Sequence, residues 1–319
     1  VEAVNLALHR AMTDDAKVLV LGEDAGIYGG VFRATDGLYQ TFGAERVFDA
    51  PLAETVIAGL AVGLAAQGFR PVAEVQFMGF IYPMIDQLVN HAARLRNRTR
   101  GRLSCPMVLR AAYGGGIGAP EHHSESTEAM LAHIPGLRVV VPSSPARAYG
   151  LLLAAIQDPD PVDVLEPKKL YRSTSESFSD DGKPLPLDRA FVQRQGSDVS
   201  LITWGAMLPP TLAAADELAA QGMDAEVIDV ATLKPLDADT ILQSVAKTGR
   251  AVIVHEAAIT AGYGAEIAAR ITTTDFFNLE APVVRVAGYD TVMPLAKLEN
   301  AYLPDTQRIV SAARRTLEE

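Results

Sequence analysis

Residues 49–80 read DAPLAETVIAGLAVGLAAQGFRPVAEVQFMGF, and the reading of this stretch decides the fold. Asp49-Ala50-Pro51 makes a turn. An apolar run rich in alanine and glycine follows from Val56 to Ala66, long enough for a helix, and Gly68 stops it. Arg70 and Pro71 lead into a strand over residues 72–77. A helix delivered by a short strand and followed by another strand is the repeating unit of a parallel α/β sheet. One carboxylate, Glu54, stands at the head of the apolar helix. Two readings of it are open. It serves the helix, whose N-terminal dipole favours an anion, or it is held in dry surroundings to share a proton with a ligand.

The same alternation extends outward from this stretch. Residues 1–13 have the period of an amphipathic helix, with Val4, Leu8 and Met12 on one side. Residues 17–22, KVLVLG, form a buried-strand pattern closed by glycine. Glu23-Asp24-Ala25-Gly26 is then a loop at a strand end, where sites form in parallel sheets. A short strand, 46–48, delivers Asp49. Downstream, a helix over residues 83–95 carries Met84, Leu88, Ala92 and Leu95 on one stripe. It ends in Arg94, Arg96, Arg98, Arg100 and Arg102, read as cations at a helix C-terminus or a subunit interface. Strand 106–111 feeds a glycine-rich loop, GGGIG at 114–118, and then APEHHSES at 119–126. No Lys-Ser/Thr follows these glycines and their spacing is not that of a dinucleotide fingerprint. They let backbone approach a ligand or let the loop move. His122 and His123 are adjacent and point opposite ways, so at most one does chemistry; a zinc pair on a helix wants i,i+4 spacing. Strand 138–141, helix 145–156 and strand 162–165 complete the first half.

Residues 173–187, STSESFSDDGKPLPL, are polar with two prolines and begin a linker. The expected organisation is a first domain over 1–172, a linker over 173–195 and a smaller parallel α/β domain over 196–319. Its strands are expected at 199–203, 225–230, 251–254 and 283–286, and its helices at 208–221, 238–247, 263–273 and 306–317. His255-Glu256, at the end of its third strand, is the polar pair to watch.

Bulk properties narrow the function. A chain of 319 residues, 49% hydrophobic and 21% charged, suits two ordinary globular domains. A net charge of −11 argues against a general nucleic-acid binder, whose affinity comes from neutralised phosphates. No apolar run approaches the ~20 residues that span a bilayer. The single cysteine, Cys105, rules out an internal disulfide and a cysteine-based zinc site, and suits a reducing compartment.

With Glu54, the glycine loop and His123 in place, the chain resembles the β subunits of the thiamine-diphosphate-dependent decarboxylating component of 2-oxo acid dehydrogenase complexes. The resemblance runs end to end: LGEDAGIYGGVFRATDGL (21–38), RVFDAPLAE (46–54), GFRPVAEVQF (68–77), APEHHSES (119–126), PGLRVVVPSSP (135–145), EPKKLYRS (166–173), TLKPLDADTI (232–241), KTGRAVIVHEA (247–257) and GYDT (288–291). It implies two parallel-sheet αβα domains: a pyrimidine-binding thiamine-diphosphate fold and a transketolase C-terminal-like domain. It implies that Glu54 hydrogen-bonds N1′ of the cofactor's aminopyrimidine, that Phe80 stacks on that ring, and that Leu52 and Gln76 line the pocket. His123 is implied to face the thiazolium and substrate, handling protons or orienting the lipoyl group. A structural potassium ion is implied at Cys105, Met107, Ala155, Asp158 and Asp160, largely through backbone carbonyls. The diphosphate and Mg²⁺ in such enzymes need a Gly-Asp-Gly segment, which this chain lacks; Asp36-Gly37 and Asp181-Gly182 have no preceding glycine. The resemblance therefore implies an α subunit holding that half, in an α2β2 heterotetramer with a second β subunit. Further implied partners are the subunit-binding and lipoyl domains of an acyltransferase core, the former suited to the acidic balance and the Glu318-Glu319 end. The implied compartment is the bacterial cytoplasm, or the mitochondrial matrix in a eukaryote. GGVFRATDGL, FMGFIYP and APEHHSES are more similar to pyruvate-type subunits, whereas GYDT and YLPD are more similar to the branched-chain type. Pyruvate is favoured and 2-oxoisovalerate is the alternative. A transketolase-like relative and a catalytically silent chain are the competing readings.

Overall fold

The structure is a computed structural model that describes residues 1–318; Glu319, half of the acidic C-terminal pair, lies outside them. The chain divides into two compact units. The first comprises Val1–Tyr113 and Met130–Leu187, the second Gly114–Ala129 and, among the described residues, 188–318.

The first unit carries α1 (Glu2–Asp14), β1 (Val18–Gly22), α2 (Leu38–Phe42), β2 (Val47–Asp49), α3 (Glu54–Ala66), β3 (Arg70–Val75), α4 (Leu95–Arg98) and β4 (Val108–Tyr113). After α5 (Glu128–His133) come β5 (Arg138–Val140), α6 (Pro145–Gln157), β6 (Val162–Pro167) and α7 (Leu170–Ser173). Its strands lie in the order β5-β6-β4-β3-β1-β2, all parallel. Every residue of β1, β4 and β6 is buried, as expected of parallel strands covered on both faces. Ser144 caps α6 by accepting the Arg147 N–H at 3.4 Å, and Pro145 occupies the first helical turn, where no amide donor is needed.

Residues 83–95 depart from the single regular helix expected. A 3₁₀ turn at Tyr82–Met84 leads to a π-helical turn at Gln87–His91, another 3₁₀ turn at Ala92–Arg94, and then α4. Met84, Leu88 and Ala92 are buried as the stripe requires, while Leu95 is only half-buried. The wider π turn rotates the residues after it away from the stripe's line.

The second unit contains β7 (Phe191–Arg194), β8 (Val199–Thr203), α8 (Leu208–Ala220), β9 (Ala225–Asp229), a short β10 (Thr232–Lys234) and α9 (Ala238–Thr248). Then come β11 (Ala251–Ala258), α10 (Gly264–Thr274), β12 (Val284–Gly288), α11 (Ala296–Tyr302) and α12 (Thr306–Glu318). The sheet order is β12-β11-β8-β9-β7, parallel except for β7, which runs antiparallel to β9 at the edge. β7 lies inside the stretch expected to be linker. Its two middle residues, Val192 and Gln193, are exposed, so it lacks the continuous burial of a central strand. β11 is four residues longer than its apolar core suggests and takes in His255 and Glu256, both buried.

One acid in the first sheet bears on stability. Asp163 of β6 is buried, its Oδ2 has no hydrogen-bond partner among the described residues, and burial pushes its carboxyl up to about 8. An acid whose pKa rises on folding costs nothing below its unfolded value, near 4. Its cost accumulates as pH climbs toward 8 and then levels off. Asp163→Val is therefore expected to stabilise the chain by an amount that grows from pH 5 to pH 8.5, reaching on the order of several kcal/mol. Thermal unfolding of both proteins at the two pH values measures it; a gain independent of pH would refute the assignment.

Candidate active site

The site is built first from β1 and the loop after it. Glu23, directly beyond β1, is buried, and its Oε1 has no hydrogen-bond partner among the described residues. Burial raises the pKa of Glu23 most, Glu54 raises it further and Asp24 adds to both. Glu54 is thus close enough for its charge to be felt. The neighbouring charge of Glu54 adds to burial in disfavouring ionisation of Glu23.

Local geometry holds these acids in place. The residue before α3 is Ala53, which has no side chain to cap the helix, so Glu54 is the anion of its first turn. In this chain on its own Glu54 is half-buried, and the fully buried acid is Glu23. Asp49 Oδ1 accepts the Gly26 N–H at 2.7 Å, and a side chain at Gly26 would begin 2.9 Å from that carboxylate. Thr35 Oγ1 donates to the Ala25 carbonyl at 2.7 Å, and the Gly30 N–H donates to the Asp24 carbonyl at 2.8 Å. Gln76 Nε2 reaches the Glu23 carbonyl at 3.5 Å, so this expected pocket residue adjoins the acid pair. Leu52 is 84% exposed, at the outer edge.

Phe80 closes a run of aromatic rings. Tyr171 packs on Phe32 at 5.1 Å between centroids, Phe32 meets Phe77 at 5.4 Å, and Phe77 meets Phe80 at 5.5 Å, the last two edge-on. Beneath them lies a buried ionic cluster. Arg110 donates from Nε and Nη2 to both oxygens of Glu166, at 2.7 and 2.8 Å, and from Nη1 to Glu74 at 2.7 Å. The Tyr171 hydroxyl donates to Glu166. Burial works against the charge on Arg110, but Glu166 and Glu74 more than offset it and the guanidinium pKa rises. Gly30 has φ +75°, and a Cβ there would lie 2.8 Å from Glu74 Oε1, so the loop through Gly29-Gly30 rests on this cluster.

His123 lies in the second unit, on segment 114–129. It ends a 3₁₀ turn at Glu121–His123, is half-buried, and its ring stands nearly perpendicular to that of exposed His122, with centroids 6.4 Å apart. The two histidines differ in environment, as their adjacency implies. His255, by contrast, is a core residue. It stacks on Trp204 at 5.2 Å, and burial with the nearby Arg285 lowers it to about 4.

The five residues expected at a potassium ion cluster around the start of β4 and the end of α6. Cys105 and Met107 are buried, and burial together with Asp160 pushes the Cys105 thiol up to about 12. The Asp158 carboxylate pairs with Arg138 at 3.2 Å and its carbonyl accepts from Arg70 at 3.3 Å. Asp160 pairs with Arg96 at 2.6 Å. Ala155 is buried on α6, its carbonyl accepting from the Asp158 N–H at 3.3 Å.

Glu23, Asp49 and the Arg110 cluster were not singled out as site residues by sequence reasoning. Glu23 carried a signal, a carboxylate directly after a buried strand. Arg110 carried a weaker one, a lone cation within an apolar strand.

Two family models match the chain: the transketolase pyrimidine-binding domain over residues 1–174 and the transketolase C-terminal domain over residues 188–309. The chain is 48% identical over 318 residues to the pyruvate dehydrogenase E1 component subunit beta of Bacillus subtilis, covering 100% of this chain and 98% of that one. The subunit of the same name from Staphylococcus aureus (strain N315) is 47% identical over the same coverage. Among solved structures, a split gene transketolase, an inactive beta4 tetramer, superposes with a TM-score of 0.82 at 27% identity, covering 99% of this chain and 97% of that one. The two αβα units, the acid pair at the head of α3 and this end-to-end likeness agree: the chain belongs to the family of pyruvate dehydrogenase E1 component β subunits, enzyme subunits built from a transketolase pyrimidine-binding domain and a transketolase C-terminal domain.

Proposed function

We propose that this chain is the β half of an enzyme that oxidatively decarboxylates pyruvate and passes the acyl group to lipoyl groups on an acyltransferase core. The observation that carries the reading is the acid pair: Glu54 at the head of an apolar helix, and a buried Glu23 after β1 whose pKa is raised by burial and by Glu54. A ring nitrogen able to give and take a proton fits such a pair, and the residues present suit an aminopyrimidine. Thiamine diphosphate, when bound, would supply a carbon nucleophile toward the 2-oxo group and an imino group that accepts the proton released in forming it. Glu54 holds and returns the proton at N1′ of that ring. Glu23 sets the electrostatics by disfavouring a second charge beside it. Phe80, braced by Phe77 and Phe32, stacks on the ring. Leu52 and Gln76 line the pocket, and His123 handles protons or orients the lipoyl group during acyl transfer.

The α partner is supported by the outward face of α3. Ile57, Ala58, Ala61 and Ala65 are buried, yet Val56 and Leu60 on the other side are 48% and 41% exposed, beside Leu52. A helix apolar on all sides calls for a second cover. We assign that cover to an α subunit, which also holds Mg²⁺ and the diphosphate, in an α2β2 heterotetramer with a second β subunit. Docking of the acyltransferase's subunit-binding domain belongs to the same proposal, as does a location in the bacterial cytoplasm; no described helix is long and apolar enough to cross a membrane. A potassium ion at the site of Cys105, Met107, Ala155, Asp158 and Asp160 would rest on backbone carbonyls, because the two carboxylates already hold arginines.

Co-expression with its α partner, followed by decarboxylation of a panel of 2-oxo acids with thiamine diphosphate and Mg²⁺, tests the reading. Activity is expected in the pair and not in this chain alone, with kcat/KM for pyruvate roughly tenfold or more above that for 2-oxoisovalerate. The reverse ranking would instead support the branched-chain reading that GYDT and YLPD favour, and turnover by the chain alone would overturn the shared site.

A further inference from the structure

The glycines of the 114–118 loop approach a ligand that belongs to the protein itself. The Gly116 N–H donates to Glu299 Oε1 at 2.8 Å and the Gly118 N–H to Glu299 Oε2 at 2.9 Å. The Gly115 N–H donates to Glu256 Oε2 at 3.2 Å. Both acids are buried, Glu256 at 2% and Glu299 at 5% exposure. Three amides of one loop thus converge on two carboxylates contributed by β11 and α11, more than 140 residues downstream. Such charge-assisted bonds are shorter and stronger than neutral ones, and low-dielectric surroundings strengthen them further.

This arrangement explains why the loop is made of glycine. Gly114 has φ +80°, and a Cβ there would lie 2.0 Å from Glu256 Oε1; a Cβ on Gly115 would lie 2.5 Å from Met293 Cε. A side chain at Gly114 would push the Glu256 carboxylate aside, and one at Gly115 would collide with Met293. At the far end, the Gly114 N–H donates to the Glu125 carbonyl at 2.9 Å and closes the base of the loop. Between these anchors, the Ser124 N–H donates to the Glu121 carbonyl at 2.9 Å and Ser124 Oγ to the Ala119 carbonyl at 3.3 Å, which shapes the turn ending in His123.

We infer that Glu299, with Glu256, is a positioning residue for His123: the carboxylate pair of the C-terminal domain clasps the glycine loop and fixes where the histidine stands. The inference deepens the proposed function and rests on the role assigned there to His123. Glutamine at 299 keeps the shape but accepts only one of the two amides and turns an NH₂ donor toward the other.

The test uses the assembled αβ enzyme with Glu299→Gln, Glu256→Gln, His123→Ala and the double variant Glu299→Gln/His123→Ala. Hydrogen exchange of the peptide spanning 114–125 is expected to quicken at least tenfold in Glu299→Gln, with the β1 and α3 peptides unchanged. Turnover to the lipoyl acceptor is expected to fall tenfold or more in kcat with KM for the 2-oxo acid little changed, and the double variant is expected to be no slower than His123→Ala alone. Losses that add in the double variant, or loop exchange unaltered by Glu299→Gln, would overturn the clasp. Glu256→Gln, which touches a single amide, gives the same exchange readout if the Glu299 variant does not fold. The exchange arm needs no substrate, so failure of the clasp is distinguishable from an incorrect assignment of the reaction.

Discussion

Glu54→Gln is expected to slow decarboxylation by the assembled enzyme by about 10²- to 10⁴-fold, the range for a positioned proton-transfer group, while leaving assembly intact. The side chain is half-buried at the first turn of α3, and an amide of the same shape fits that space. What glutamine lacks is a proton that comes and goes. It also removes the charge that helps raise Glu23, so Glu23 is left raised by burial and Asp24. The variant's acid limb in the pH–rate profile should therefore move toward lower pH along with the loss of rate. Steady-state kinetics across pH, with sedimentation to verify the oligomer, measures both. Undiminished activity in a well-assembled Glu54→Gln enzyme would end the assignment of this acid to the proton at N1′.

The second large effect is structural. Arg110→Met is expected to destabilise the first domain by roughly 3–5 kcal/mol, the cost of breaking a buried ion pair from one side. Arg110 is 2% exposed and satisfies three carboxylate oxygens, two on Glu166 and one on Glu74. Glu74 already has a raised pKa, since burial outweighs the pull of Arg110. Without the guanidinium, Glu74 loses the pull that lowers it and rises further above its unfolded value. The penalty is then smallest at low pH and grows as pH rises through the new folded pKa of Glu74. Denaturant unfolding at pH 5 and pH 8 should show the larger loss at pH 8. Replacing Glu74 and Glu166 with leucine in the Arg110→Met background is expected to recover much of it, because a cluster without charge has nothing to desolvate. The same variant loosens Tyr171, whose hydroxyl rests on Glu166 and whose ring starts the run to Phe80. Weaker cofactor binding in the assembled enzyme is the accompanying expectation.

Much of the fold was legible because burial in a parallel sheet leaves a plain trace. Strand 18–22 is a continuous apolar run, and 108–113 is one interrupted only by Arg110, since helices cover both of their faces. Residues 82–98 were less legible. Their apolar spacing matches a regular helix, and a π turn changes the hydrogen-bond step without changing the residues that want burial. β7 was hidden for another reason. An edge strand is covered on only part of its surface, and with Val192 and Gln193 exposed 191–194 show neither a continuous apolar run nor a strict alternation.

The amino-acid sequence by itself determined the family, the two parallel-sheet domains, and Glu54 and His123 as candidates, because those rest on local pattern and on motifs in order along the chain. Tertiary structure alone decided what surrounds them. Glu23 becomes an unusual acid only when folding buries it beside Glu54. The 114–118 glycines acquire a reason only when β11 and α11 bring Glu256 and Glu299 to their amides. Electrostatic coupling and hydrogen bonding depend on distance through space, and between residues 118 and 299 that distance is set by the packing of the whole domain, which no local stretch of sequence encodes.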